Sequence, residues 1–228
     1  MRRATVVLTL LTLAAVPVVS EAGSLDIRGG AFFPATNSKL FDDDDALYLK
    51  DGRPLKKSDW IGFLGGVQYN MQLNQMSELG FSIDGYWRSF DTSYRDFTGE
   101  SGREIFQTLR LTTVPIAVQL RLGPTGRGML SPYVAVGGDM IPYQYEEYGD
   151  FIDFDVASHP IIPDSFISEG VGWGFHVAGG IRAPINHDIS INAEVKYQWC
   201  KDDMPDDFIG NEIDLSGFTG TLGVNIRF

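Results

Sequence analysis

The chain has 228 residues, with 18 Lys and Arg against 30 Asp and Glu, for a formal net charge of -12 at pH 7. That balance speaks against nucleic acid as a partner, because a phosphate backbone needs a basic footprint. Cys200 is the only cysteine, so no internal disulfide can form and the fold must be held by other means.

Residues 1–22 read as a secretory signal peptide. Arg2 and Arg3 give a basic start, Val6 to Val19 is apolar except at Thr9, Thr12 and Pro17, and Ser20-Glu21-Ala22 supplies small residues near a cleavage point. The apolar stretch is well short of the roughly 20 residues that a spanning helix needs. Cleavage after Ala22 leaves 23–228 as one domain without an internal linker. Without Arg2, Arg3 and Glu21 it keeps 16 basic and 29 acidic residues.

Eight later segments alternate between unlike faces with the period of a strand: 24–34, 58–72, 77–91, 104–122, 131–145, 168–183, 188–201 and 212–228. In the third, Leu79, Phe81, Ile83 and Trp87 oppose Glu78, Ser82, Asp84, Tyr86 and Arg88. The fourth contains Pro115, which lacks a ladder donor and predicts a bulge or bend near Thr113. The sixth sets Trp173, Phe175, Val177 and Ile181 against Gly174, His176, Ala178 and Arg182. The seventh sets Ile191, Val195, Tyr197 and Trp199 against Asn192, Glu194, Lys196 and Gln198. The eighth places Phe218, Leu222, Val224 and Ile226 on one face and stops on Phe228.

The connections sort into two kinds. Those at 73–76, 123–129 and 183–187 are short, whereas 35–57 (with Asp42 to Asp45), 91–103, 146–164 and 201–211 are long and charged. An even number of antiparallel strands can close without an edge, which lipid demands, with short turns on one side and long loops on the other. The expected fold is all-β: an eight-stranded antiparallel up-and-down transmembrane β-barrel.

A soluble barrel would show the same period with its apolar face inward. The glycine-rich polar face fits a narrow interior better than a solvated surface. Tyr197, Trp199, Trp87, Tyr143 and Tyr145 near the long loops, with Tyr133 and Phe228 near the turns, read as membrane-interface girdles. Eight strands leave room only for side chains or one small ligand. The lumen is therefore expected to hold a polar network of Glu78, Asp84, Arg88, His176, Arg182, Glu194 and Lys196. A tight turn at 184–187, with paired residue numbers summing to about 370, would set His176 opposite Glu194 and Lys196 one step along. Closure of the last strand on the first would bring Asp26 and Arg28 near Asn225 and Arg227.

Through Gly23-Ser-Leu-Asp-Ile-Arg-Gly-Gly-Ala, Ser131-Pro-Tyr-Val-Ala-Val-Gly-Gly, Gly174-Phe-His-Val-Ala-Gly-Gly and Gly223-Val-Asn-Ile-Arg-Phe, the mature chain resembles the small outer-membrane β-barrel proteins, the group with the OmpA barrel domain, OmpX and OmpW. The resemblance implies a cell outer-membrane location among lipid and lipopolysaccharide. It also implies that Phe228 is part of a signal to the barrel assembly machinery. Two roles follow from it: a structural or surface-interaction anchor for long acidic extracellular loops, or a narrow porin-like conduit for ions or small apolar molecules. A lipid A-modifying enzyme of the barrel deacylase group would place a Ser two residues after a strand histidine. Ala178 stands there after His176, so no nucleophile is offered and no enzyme activity is expected. Asp42 to Asp45 lacks the spacing and glycine of an EF-hand loop, and no motif asks for a cofactor or metal. The sequence names no extracellular partner for the loops.

Overall fold

The computed structural model describes residues 23–34, 47–49, 51–98, 102, 104–125, 130–153, 159–204 and 212–228. The signal segment 1–22 and the run Asp42 to Asp45 lie outside the described residues. The strands are β1 (Gly23–Pro34), β2 (Leu47–Leu49), β3 (Gly62–Asn74), β4 (Ser77–Thr98), β5 (Glu104–Thr113), β6 (Ile116–Leu122), β7 (Ser131–Ile152), β8 (Ile161–Pro184), β9 (Ile189–Asp203), β10 (Glu212–Asp214) and β11 (Gly217–Arg227).

These make eight staves among the described residues. β5 and β6 both pair with β4 and β7, and so form one stave broken at Val114 and Pro115. β10 and β11 likewise share β9. Each stave is antiparallel to the next, and β11 closes on β1 from Ser24 opposite Arg227 to Pro34 opposite Gly217. The break at Pro115 is bridged: Val114 N donates to Pro142 O at 2.9 Å and Asp84 N to Pro115 O at 2.9 Å. A missing proline donor is thus absorbed without leaving a slot in the wall.

Burial settles which face is inside. Trp173 is 71% exposed and Leu222 66%, whereas Asp26, Gln68, His176 and Asn225 are 0% exposed. Apolar side chains outward and polar ones inward is the arrangement of a barrel solvated by lipid.

Three strands are far longer than the ~9–11 residues that cross the hydrocarbon: β4 and β7 have 22 residues and β8 has 24. The expected loops at 91–103 and 146–164 are therefore largely hairpin, since Thr98 still faces Glu104 and Ile152 still faces Ile161. β2 extends this wall by pairing with Thr92 to Tyr94 of β4. On the opposite side β9 ends at Asp203 and β1 at Pro34, so among the described residues the extracellular rim is taller along β4, β5, β7 and β8. Residues 58–60, expected as strand, belong instead to a 3-10 turn, Lys57–Trp60, whose Trp60 is fully buried.

Candidate functional site: a lumen filled in two layers

The periplasmic half of the interior is a charge network built from alternate residues of seven staves. Arg28 of β1 forks onto Asp84 of β4, with Nε to Oδ1 at 2.9 Å and Nη2 to Oδ2 at 2.6 Å. Its Nη1 also donates to Gln68 Oε1 at 2.7 Å and Glu194 Oε1 at 3.2 Å. Arg121 of β6 donates to Glu194 Oε2 at 3.1 Å and lies 4.0 Å above the Tyr133 ring. The Tyr133 hydroxyl is itself 2.9 Å from Glu194 Oε2 and from Asn192 Oδ1. Arg182 forks onto Glu78 at 3.0 and 2.9 Å. Bidentate guanidinium–carboxylate pairs are directional, so they fix neighbours as well as charge.

Above them His176 Nδ1 is 2.8 Å from Asp139 Oδ2 and Nε2 is 2.9 Å from Gln119 Oε1. Lys196 Nζ lies 3.8 Å from the other Asp139 oxygen. The β8–β9 register pairs His176 with Gln198 and Glu194 with Gly180. The expected His176–Glu194 pairing is thereby corrected by four positions. The turn is wider than a tight one: Asn186 Oδ1 accepts from the Asp188 and Ile189 amides, and pairing resumes only at Pro184 with Ser190. At the seam Asp26 faces Asn225, Arg28 faces Gly223 and Ser24 faces Arg227. Asn225 donates to Ser24 Oγ at 2.9 Å, while Arg227 Nη1 turns to Thr125 O at 3.2 Å.

The extracellular half is mainly apolar. Phe32, Leu64, Tyr86, Leu109, Leu111, Ile141, Tyr143, Tyr145 and Leu215 are buried together, and Leu49, Leu55 and Trp60 close over them. Trp60 meets Phe90 edge-on at 4.7 Å, and Phe32 meets Tyr86 at 5.3 Å. The Tyr86 hydroxyl donates to Trp60 O, and Arg88 Nε to Asp59 O at 2.7 Å. Arg88 therefore pins the cap and does not join the charge network in which it was expected. Tyr133, Tyr143 and Tyr145 are likewise inside the barrel, not in an interface girdle. Trp87, Trp199 and Phe228 do face outward, and the Phe228 ring lies over Tyr69 at 6.4 Å.

At this height the strands reverse their polarity. Leu109, Leu111, Tyr143 and Tyr145 point in, while Arg110 and Tyr148 are exposed outside and Glu146 is partly so. The cap carries its own polar clasp, in which Arg53 Nε donates to Asp51 Oδ2 at 2.8 Å and Nη1 to Asp59 Oδ2 at 3.0 Å. Slight desolvation raises the Asp51 carboxyl, but hydrogen bonds and charge from Arg53 outweigh it and hold the group below its ordinary value.

Between the layers remains a void of about 10 Å³ lined by Phe32, Leu64, Tyr86, Thr113, Pro115, Ile141, Gln198 and Leu215, at most the space of one water. A second, of about 30 Å³, opens at the periplasmic end beside Ser24, Asn70, Gln72, Glu78 and Arg227.

The family described as outer membrane protein beta-barrel domain matches residues 4–228. The chain belongs to that family. Its place is the cell outer membrane. Among solved structures, this outer membrane beta-barrel is similar to neisserial surface protein A, at 10% identity over 92% of this chain and 98% of that one, with a TM-score of 0.52. It is also similar to the outer membrane protein OprG of Pseudomonas aeruginosa, at 12% identity over 90% and 96%, with a TM-score of 0.50. At such identities the likeness is one of fold. No curated protein sequence matches the chain.

Proposed function

We propose that the protein is a closed outer-membrane anchor that holds its acidic extracellular hairpins and loops in place for contact with something outside the cell. The observation that carries this reading is the doubly filled lumen. A conduit needs a continuous wetted path, and here a charge network is followed by an apolar layer and a Trp60 cap. Ions do not enter an apolar constriction that stays dry. The reading includes no enzymatic step. Planar-bilayer recording of the refolded mature chain tests it: the expected result is no steady unitary conductance, and a reproducible pore in the wild type would sink the anchor in favour of a conduit.

Residues 1–22 act in this reading as a cleaved export signal, and lipopolysaccharide surrounds the outer leaflet. Phe228 serves as part of the signal to the assembly machinery. Its amide donates to Gly23 O at 3.1 Å and its ring is half exposed, so the fold itself makes modest use of it. Deleting Phe228 should lower outer-membrane yield in cells much more than refolding yield in detergent. Equal losses in the two settings would assign it a structural role only.

A further inference from the structure

The charge network ends, on the periplasmic side, at a strap across the mouth of the barrel. Arg227 stands on β11 and Thr125 follows β6. The pairings β11–β1, β1–β3, β3–β4 and β4–β6 set those two strands four staves apart in the ring of eight, on opposite walls. Arg227 nevertheless donates from Nη1 to Thr125 O at 3.2 Å, so its side chain spans the opening. The far end of the strap is firmly seated. Thr125 is buried, its amide donates to Gln75 O at 3.0 Å, and its hydroxyl donates to Asn74 O at 3.1 Å while accepting from Gln72 Nε2 at 3.0 Å.

Just inside the strap lies the void of about 30 Å³, with Arg227, Glu78, Gln72, Asn70 and Ser24 on its walls, which is room for about two waters. Deeper in, Arg121 Nη1 stands 3.6 Å from Asp26 and 3.7 Å from Glu78, beyond hydrogen-bond length. Arg121 Nε, Asp26 Oδ1 and Asn225 Oδ1 are buried and meet no hydrogen-bonding partner among the described residues. Buried groups of this kind take water as their partner. The apolar side chains above, Leu64, Leu111 and Ile141 among them, offer water none.

We propose that the lower layer is a one-ended vestibule that takes up water and small polar solutes from the periplasm, with Arg227 on Thr125 as the strap that limits entry and the apolar layer as its blind end. This rests on the reading of the barrel as closed, and adds that its interior communicates with one side of the membrane only. Arg227 belongs to the last residues of its strand, at the aqueous end, where local opening is far easier than unfolding of the barrel. The forks of Arg28 on Asp84 and of Arg182 on Glu78, each with two charge-assisted bonds, hold the walls meanwhile. Entry thus needs a side chain to swing and no strand to part.

The test uses the mature chain in phosphatidylcholine nanodiscs. Ser24→Cys puts a thiol on the wall of the void, and Cys200 is already a buried thiol in the apolar layer. Peptide mass spectrometry follows both during exposure to methyl methanethiosulfonate, a small neutral reagent whose approach does not depend on the charge of Arg227. The expected result is slow modification at position 24, quickened about tenfold or more by Arg227→Gln, with Cys200 unmodified throughout. An unchanged rate in Arg227→Gln would overturn the strap, and so would an equal quickening by Arg110→Gln on the outer wall, which would mean general loosening. Modification of Cys200 as fast as of position 24 would remove the blind end and sink the closed anchor with it, so the two failures are told apart. A measurement without any added cysteine covers the case in which Ser24→Cys does not fold. Exchange of the Arg121 Nε–H with solvent, read by NMR, should quicken in Arg227→Gln, and equal exchange in the two proteins would overturn the strap as well.

Discussion

The two halves of the lumen are filled by opposite chemistry. In the periplasmic half Arg28, Arg121, Arg182 and Lys196 face Asp26, Glu78, Asp84, Asp139 and Glu194, with lipid against the outer wall. In the extracellular half the interior is Leu, Ile, Phe and Tyr, and the outer wall carries Arg110, Glu146 and Lys201. One set of strands thus runs from a membrane barrel into a barrel of the soluble kind, and the side that meets lipid decides which sign the alternation takes. The lower layer is directional and specifies register, because a slip would separate forked pairs. The upper layer is non-directional, and its stabilisation follows buried apolar area.

The contrast is tested most strongly at Glu194. It accepts from Arg28, Arg121 and Tyr133 at once, so Glu194→Ala leaves two buried guanidinium groups short of a counter-charge, at a cost of about 3–5 kcal/mol. Urea unfolding of the barrel in detergent measures this, and an unchanged midpoint would mean that lumen water screens the network. Next is the apolar layer: Leu111→Ala should cost about 2–4 kcal/mol, whereas Leu111→Met should cost under about 1.5 kcal/mol. A comparable loss with both substitutions would show that the upper half is not packed as a core. The smallest effect is expected at Lys196, whose ammonium reaches Asp139 only at 3.8 Å while His176 already binds that carboxylate at 2.8 Å. Lys196→Met should shift stability by about 1–2 kcal/mol; a loss as large as that of Glu194→Ala would move Lys196 to the centre of the network.

The strands were legible because the period of two survives both solvents. What did not survive was its sign. Tyr143 and Tyr145 share parity with Asp139, a residue whose charge belongs inside, so continuing that parity up β7 would have turned both rings inward. Their position near a strand end favoured a girdle instead. Leu109 and Leu111 gave the same signal on β5, obscured by the interruption at Pro115. The His176–Glu194 pairing failed for a different reason: a register read across a turn depends on the width of that turn, and Asn186 widens this one with its side chain. The cap was illegible because Ser58 and Trp60 alternate in step with the strand that follows, with nothing local to show that Trp60 folds over the mouth.

Closure of β11 on β1 joins the first strand of the barrel to the last, and this sets a clock. Arg28 reaches Asp84 across 56 residues of sequence and Glu194 across 166, so the charge network cannot be neutralised until almost the whole chain has been delivered. Contacts this distant in sequence form slowly. During that interval both faces of every strand are uncovered, and an uncovered apolar face is prone to aggregate. The vulnerable quantity is therefore the waiting time before the last strand arrives. Strengthening individual lumen contacts would slow unfolding of the finished barrel, yet would leave that wait untouched, because those contacts do not exist while it lasts.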